Sequence, residues 1–455
     1  MSDKFRGIDQ IEVVKYKSIS CLTLDFKGIT VLVGANSSGK SSVMQPLLLM
    51  KQTLDTNANS ALLLQGKNVD LTSFTQIKTR ISDLQNDSFS LRIQAGTFSA
   101  QSTFTGNYDD VLLNSTDYYF FDPISGQRNR EITLSDQTSP HVLRNWMLQV
   151  YNGFDHIGED VCPFQPCPGA CFYGIHYKQP EGKEPTISQI LRPSEFFVQP
   201  DIQGIIHLPG LRDNPQRRDK KVSLEQQPIY RGCFSKYTAS VIASWHRQNN
   251  GKYAELLRCL SEMKLATTIK AESPDNNYIE LKVSRLVPQR NSDCQTESTD
   301  DLVSIADVGF GVSQALPIIT ALIVAEKNQI VYVEQPETHL HLYAQIGLVK
   351  AIMEAACRGV KVIVETHSST FLLALQTMIA RGEPQLSHDQ VALYWFHQNK
   401  EGETQVDPGE MQENGTFGNW QVDFSDITME LQLDFMRAFE KHEHEINNTN
   451  NGNHH

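Results

Sequence analysis

The segment Gly34-Ala35-Asn36-Ser37-Ser38-Gly39-Lys40-Ser41 constrains this chain more than any other, because it fits the pattern G-x-x-x-x-G-K-[ST]. Before it runs Ile29-Thr30-Val31-Leu32-Val33, short, apolar and β-branched, as a buried strand requires. After it comes an apolar stripe at helical spacing: Val43, Leu47, Leu48, Met50 and Leu54, with Pro46 inside it as a candidate kink. A strand that turns so sharply into a helix points its backbone amides at one spot, and the helix dipole adds positive potential there. The pattern therefore predicts a phosphate cradle. ATP and Mg²⁺ are the expected occupants, held by Gly34, Asn36, Ser37, Ser38, Gly39, Lys40, Ser41 and Ser42. In that scheme Lys40 reaches the terminal phosphates and the Ser41 hydroxyl takes a metal position.

Far downstream, two more apolar runs end in polar groups. Ile330-Val331-Tyr332-Val333 leads into Glu334-Gln335-Pro336-Glu337, and Val362-Ile363-Val364 leads into Glu365-Thr366-His367-Ser368. Helical stripes separate and follow them, at Leu340–Cys357 and Phe371–Arg381. Alternating strands and helices build a parallel sheet, and ligands bind at the carboxyl ends of its strands. Glu334 is thus expected beside Mg²⁺, together with Ser41, and His367 beside the terminal phosphate. Gly309-Phe310-Gly311-Val312-Ser313-Gln314 opens another helix before these strands.

These segments, in this order, resemble the ABC-type ATPases, in the branch of DNA-repair and SMC-like heads. The resemblance covers roughly residues 9–54 and 300–400. It implies an α/β fold: an ABC-type P-loop ATPase head with a β-rich and helical insertion between the phosphate loop and the signature motif. It also implies that Gly311, Ser313 and Gln314 form the signature, which completes the nucleotide site of a second copy, so that the chain acts as a homodimer or higher homo-oligomer. Glu334, Gln335, Glu337 and His367 become the catalytic group. A narrower resemblance rests on Val333–His341, on Glu365–Ser368, on Leu208-Pro209-Gly210-Leu211-Arg212 followed by Pro215, and on Phe417-Gly418-Asn419-Trp420. These look like the ATPase subunits of Septu-type and retron-linked anti-phage defence systems. That likeness implies a sensor or regulatory subunit controlling a separate nuclease of the HNH type. The alternative is a DNA-repair-type head acting directly on DNA.

One position departs from the pattern of two adjacent acids: Gln335 follows Glu334. A glutamine orients water but cannot take its proton, and losing a general base removes about 10²–10⁴ in rate. Slow hydrolysis is therefore expected. Glu337 either compensates, if Pro336 bends it inward, or caps the helix expected to start near Thr338.

The expected organisation is residues 1–80 as the first part of the head, 81–300 as insertion, 301–400 as the second part, 401–440 as an extension and 441–455 as an Asn- and His-rich disordered tail. Net charge is −13, which excludes a uniformly basic nucleic-acid binder but leaves local patches open. The densest is Arg212, Arg217, Arg218, Lys220 and Lys221, read either as a solvated loop or as a contact with DNA or an acidic partner. Arg212 has a third reading, service to the nucleotide dimer. No apolar run is long enough for a membrane span, and the scattered cysteines read as reduced cytoplasmic thiols. Cys162, Cys167 and Cys171, with His176, form one cluster open to zinc or to plain thiols. No acidic triad or His–Asn–His cluster marks a nuclease within the chain. Gln65 and Gln76 are both candidates for a glutamine contacting the site from the first lobe.

Overall fold

The computed structural model describes residues 5–56, 60–79, 87–108, 110–121, 128–150, 164–178, 188–225, 228–248, 250–284 and 302–417. Among them the P-loop strand Ile29–Gly34 sits inside a mixed sheet of order Ile206–Leu208, Ile330–Glu334, Lys361–Thr366, Ile29–Gly34, Val391–Gln398, Thr404–Glu410. The first five strands are parallel and the last closes a hairpin. The strand leading to His367 thus lies between the P-loop strand and the strand ending in Glu334.

Both faces of this sheet are buried, which is why its strands read as continuous apolar runs rather than as alternations. Val31, Val33, Val331, Val333, Val362 and Val364 face one core, with the helices Thr238–Gln248, Gly251–Glu262, Phe310–Val324, Leu342–Cys357 and Ser369–Arg381. Leu32, Ile330, Tyr332 and Ile363 face a second core that holds the helix Lys40–Thr56. That core is closed by an antiparallel sheet of order Ile19–Asp25, Gln10–Tyr16, Ser88–Ala95, Phe98–Gly106, Val111–Phe121, Arg128–Leu134. Pro46 lies within the helix Lys40–Thr56, which runs on past it for ten residues.

The α/β class expected from sequence holds. Both sheets described above run across position 80, and the P-loop sheet runs across position 300 as well. Residues 88–134 extend the sheet begun by residues 10–25, and Ile206–Leu208 forms the edge of the P-loop sheet. The hairpin strand Thr404–Glu410, expected as part of an extension, completes the other edge. Residues 418–455, with the Gly418-Asn419-Trp420 motif and the tail, lie outside the described residues. Among the described residues no helix is long and apolar enough to cross a membrane.

Candidate active site

The phosphate loop is shaped by two glycines and held from outside by the hairpin. Gly34 has φ +149° and Gly39 φ +104°. A Cβ on Gly34 would stand 2.2 Å from the Phe396 carbonyl oxygen, and one on Gly39 would stand 2.3 Å from Thr404 Oγ1. Neither position admits a side chain. Thr404 Oγ1 donates to the Ser38 carbonyl at 3.0 Å, and Gln398 Nε2 donates to the Ser37 carbonyl at 3.1 Å. The loop's carbonyls are thereby tied outward. Lys40 begins the helix and folds back, donating to the carbonyls of Gly34 (3.0 Å) and Ala35 (2.7 Å). Burial pulls its ammonium below the usual pKa, opposed by nearby Glu365. Ser38 is buried and its hydroxyl has no hydrogen-bond partner, whereas Asn36 and Ser37 lie exposed at the tip and Ser42 is half-buried. A glycine-shaped cradle, a lysine resting on carbonyls and an unpartnered buried hydroxyl fit a phosphate tail.

Two carboxylates end neighbouring strands in the same register, Glu334 opposite Glu365. Glu334 Oε1 lies 3.0 Å from His207 Nε2, and Oε2 accepts the Gly210 amide at 3.1 Å. Burial raises its pKa, but His207, the Gly210 amide and Arg212 outweigh that and hold it below the ordinary carboxylate value. Glu365 Oε1 accepts the Ser41 hydroxyl at 2.8 Å, and Oε2 accepts the Tyr332 hydroxyl at 3.0 Å. Burial, with Glu334 adding to it, pushes Glu365 above the usual range despite those two hydroxyls.

The residues after Glu334 turn inward. Gln335 has φ +43°; its amide donates to the Glu365 carbonyl at 2.7 Å, and its own carbonyl accepts Arg212 Nη2 at 3.1 Å. Glu337 Oε1 accepts the His367 amide at 2.9 Å, and its other carboxylate oxygen is shielded and unpaired. Glu337 therefore lies inward and does not cap the helix that follows. It reaches the second strand end, and the helix starts later, at Leu342, capped by His341. His367 is half-buried; burial and then Lys40 depress its pKa, against Glu337 and the Gly34 backbone.

The segment expected as the signature lies at the start of the helix Phe310–Val324, whose cap Gly309 has nothing crowding it. Ser313 donates back to the Phe310 carbonyl at 2.8 Å and so does not cap the helix. Gly311 packs toward the His339 carbonyl, and the Phe310 ring, half exposed, lies 5.6 Å from that of His339. Gln314 is buried and accepts Arg212 Nε at 3.1 Å. It is therefore tied inward rather than presented to a second copy.

Glu365, His207, Tyr332 and Gly210 are absent from the sequence-based site. One signal for Glu365 was available: Val-Tyr-Val-Glu334 and Val-Ile-Val-Glu365 are the same pattern twice. His207 carries none, since its strand is only Ile206–Leu208. Gln65 and Gln76 are exposed, and Gln76 accepts the amide of Thr72 in its own turn. Asn68 is the residue of that stretch that reaches toward the site, its Nδ2 3.0 Å from His207 Nδ1. In the basic run, Arg212 turns inward and Arg217 pairs with Asp307, while Arg218, Lys220 and Lys221 stay exposed. Cys162 lies outside the described residues. Cys171 is buried with its thiol against the Met50 carbonyl, and no group of three metal-ligating side chains occurs among the described residues.

A family model for the AAA ATPase domain matches residues 7–117 and 212–372, more than half of the chain. The chain belongs to this AAA ATPase family. The matched stretches hold the P-loop, the Gly309–Gln314 segment, both carboxylate-ending strands and His367, whereas His207 and Gly210 fall in the stretch that the family model skips. No curated protein matches the chain. Among solved structures, the SMC head bound to the C-winged helix domain of ScpA is 11% identical, with a TM-score of 0.47, covering 90% of this chain and 98% of that one. The SMC head domain from Thermotoga maritima is 10% identical with a TM-score of 0.38, covering 89% of this chain and 99% of that one. An Smc head with an extended coiled coil, bound to the C-terminal domain of ScpA from Pyrococcus furiosus, is 11% identical, with a TM-score of 0.42 and coverages of 89% and 96%.

Proposed function

We propose that this family member binds ATP with Mg²⁺ in the cradle of Gly34–Ser41, hydrolyses it slowly, and uses it chiefly to clamp two copies together. The observation that carries the reading is the pairing of a formed P-loop with Gln335 where a general base is expected. Bound Mg²⁺ would neutralise phosphate charge. The chain's own residues do the rest. Lys40 would exchange its resting carbonyls for phosphate oxygens, Ser41 and the strand-end carboxylates Glu334 and Glu365 would hold the metal, and His367 would meet the terminal phosphate. Gln335 would orient water, and the unpaired oxygen of Glu337 is an acceptor in that turn for its proton. Ser313, at an uncrowded helix start beside half-exposed Phe310, closes the site of a second copy.

The wider role proposed is a cytoplasmic sensor or regulatory subunit of an anti-phage complex, holding a separate HNH-type nuclease in check. The second reading, direct action on DNA, is favoured only by exposed Arg218, Lys220 and Lys221. Nucleotide binding and turnover of purified protein test the core of the proposal. Lys40→Ala is expected to weaken ATP binding about 10–100-fold, from the loss of one charge-assisted contact, and to abolish nucleotide-dependent dimers in sedimentation. Turnover of many per second would sink the clamp. Co-purification from the native cell of a small nuclease supports the regulatory role, whereas tight, salt-sensitive DNA binding by the chain alone supports the second reading.

A further inference from the structure

We infer that Arg212 is a positioning residue that bolts the turn after Glu334 to the helix carrying Ser313, so that the state of a subunit's own cradle sets how that subunit presents Ser313 to a second copy. This rests on the clamp reading above, and it gives Arg212 a role within its own subunit rather than across the dimer. The guanidinium makes the connection. Nε donates to Gln314 Oε1 at 3.1 Å, and Nη2 donates to the Gln335 carbonyl at 3.1 Å. Nη1 donates to the carbonyls of Pro209 at 3.3 Å and Glu334 at 3.2 Å. One planar fork thus joins three elements: its own turn, the end of the strand Ile330–Glu334 and the first turn of the helix Phe310–Val324. The fork is always charged and rigid, so its donors keep their relative directions when one acceptor moves.

The two ends of this bolt differ in kind. Gln335, at φ +43°, holds a conformation that a non-glycine residue keeps only where its surroundings impose it. They do so through the Glu365 carbonyl, which accepts its amide, and through Arg212 and the Thr338 amide, which both donate to its carbonyl. Two residues on, Glu337 accepts the His367 amide. Occupied and empty cradles therefore differ first at this turn. At the other end Gln314 follows Ser313 directly and is 4% exposed. A shift of the Gln335 carbonyl passes through the fork to Gln314, because breaking the second bond would leave that buried side chain unpaired. The same segment grips the approach to the helix again: Arg217 makes bonds of 2.8 and 2.6 Å to Asp307, two residues before the cap Gly309. That pair is exposed and contributes little alone. His207 braces the strand end through Glu334, with its ring stacked on Tyr332 at 5.3 Å and 10° between planes.

ATP affinity of dilute protein, ATP-dependent association in sedimentation and melting temperature are measured side by side. Arg212→Ala is expected to weaken ATP-dependent association about 10–100-fold, the loss of a charge-assisted bond, with the ATP affinity of the single subunit close to wild type. Gln314→Leu removes only the acceptor on the helix and is expected to give a loss of the same order. The double variant is expected to lose no more than Arg212→Ala alone, because the pair acts as a unit. Gln314→Glu keeps an acceptor for Nε and is expected to retain association. Full association in Gln314→Leu overturns the inference, and so do losses that add in the double variant. A parallel fall of ATP affinity, association and melting temperature also overturns it, since a merely structural bond behaves that way. Should Arg212→Ala not fold, the two Gln314 variants decide: loss in Gln314→Leu with retention in Gln314→Glu supports the assignment, and equal behaviour overturns it. Wild-type protein that binds ATP but never associates brings down the clamp reading, a result distinct from any of these.

Discussion

The strand ends at Glu334 and Glu365 carry the same residue at the same register on adjacent parallel strands, yet they are opposites. Glu334 sits among N–H donors and near a guanidinium, supplied by the 207–212 segment. Glu365 sits among hydroxyls, close to another carboxylate. The first is held below the ordinary carboxylate value; the second is pushed above it. Environments that drive two like groups apart mark a division of labour between them. Here the division comes from which segment each strand has as its neighbour: an edge strand with its turn on one side, the P-loop on the other.

Removing the charge from each end should give unequal costs. Glu334→Ala leaves His207 and the Gly210 amide without their acceptor and should destabilise the fold by about 3–5 kcal/mol, read from urea unfolding; a loss under 1 kcal/mol would break the contrast. His207→Gln keeps a polar group but loses the stacked ring and the aligned donor, and should cost about 1–3 kcal/mol by the same measurement. Glu365→Gln should be nearly neutral, within about 1 kcal/mol, because its amide can accept from one hydroxyl and donate to the other once that hydroxyl turns, without opposing Glu334.

The pH dependence sharpens the comparison further. A raised folded pKa means stability that is present below the ordinary 4.5 and lost as pH rises through the folded value, so Glu365→Gln should gain on wild type as pH climbs above 4.5. Glu334 has a lowered folded pKa, so its contribution is present above 4.5 and lost as pH falls through the folded value below it. Unfolding series for both variants from acid to neutral pH should therefore diverge in opposite senses, and parallel curves would contradict the two environments.

Much of this was legible in the chain. The P-loop announced itself because glycine spacing, a buried strand and a helix coincide within about two dozen residues, and local backbone geometry is encoded locally. The three apolar strands that end in the loop, in Glu334 and in Glu365 were readable for the same reason, as were the helices between them. The choice for Glu337 was not readable: inward bend and helix cap demand the same residues, and only the position of the His367 amide separates them. Arg212 had three open readings in the sequence, and only the fold puts Gln314 and the carbonyls of Glu334 and Gln335 around its guanidinium.

By itself, then, the sequence determined the phosphate cradle, the order of strands and helices around it and from Gly309 to Arg381, and the presence of an acid at each of two strand ends. These depend on φ/ψ preferences and hydrophobic period, which act over a few residues. Tertiary structure alone decided which acid faces Ser41, which one His207 holds, and that the Val391–Glu410 hairpin pins the loop through Thr404. Each of those contacts joins residues more than a hundred positions apart, and no local preference encodes a partner at that distance. Only the packing of the parallel sheet, with Lys361–Thr366 between its neighbours, brings them together.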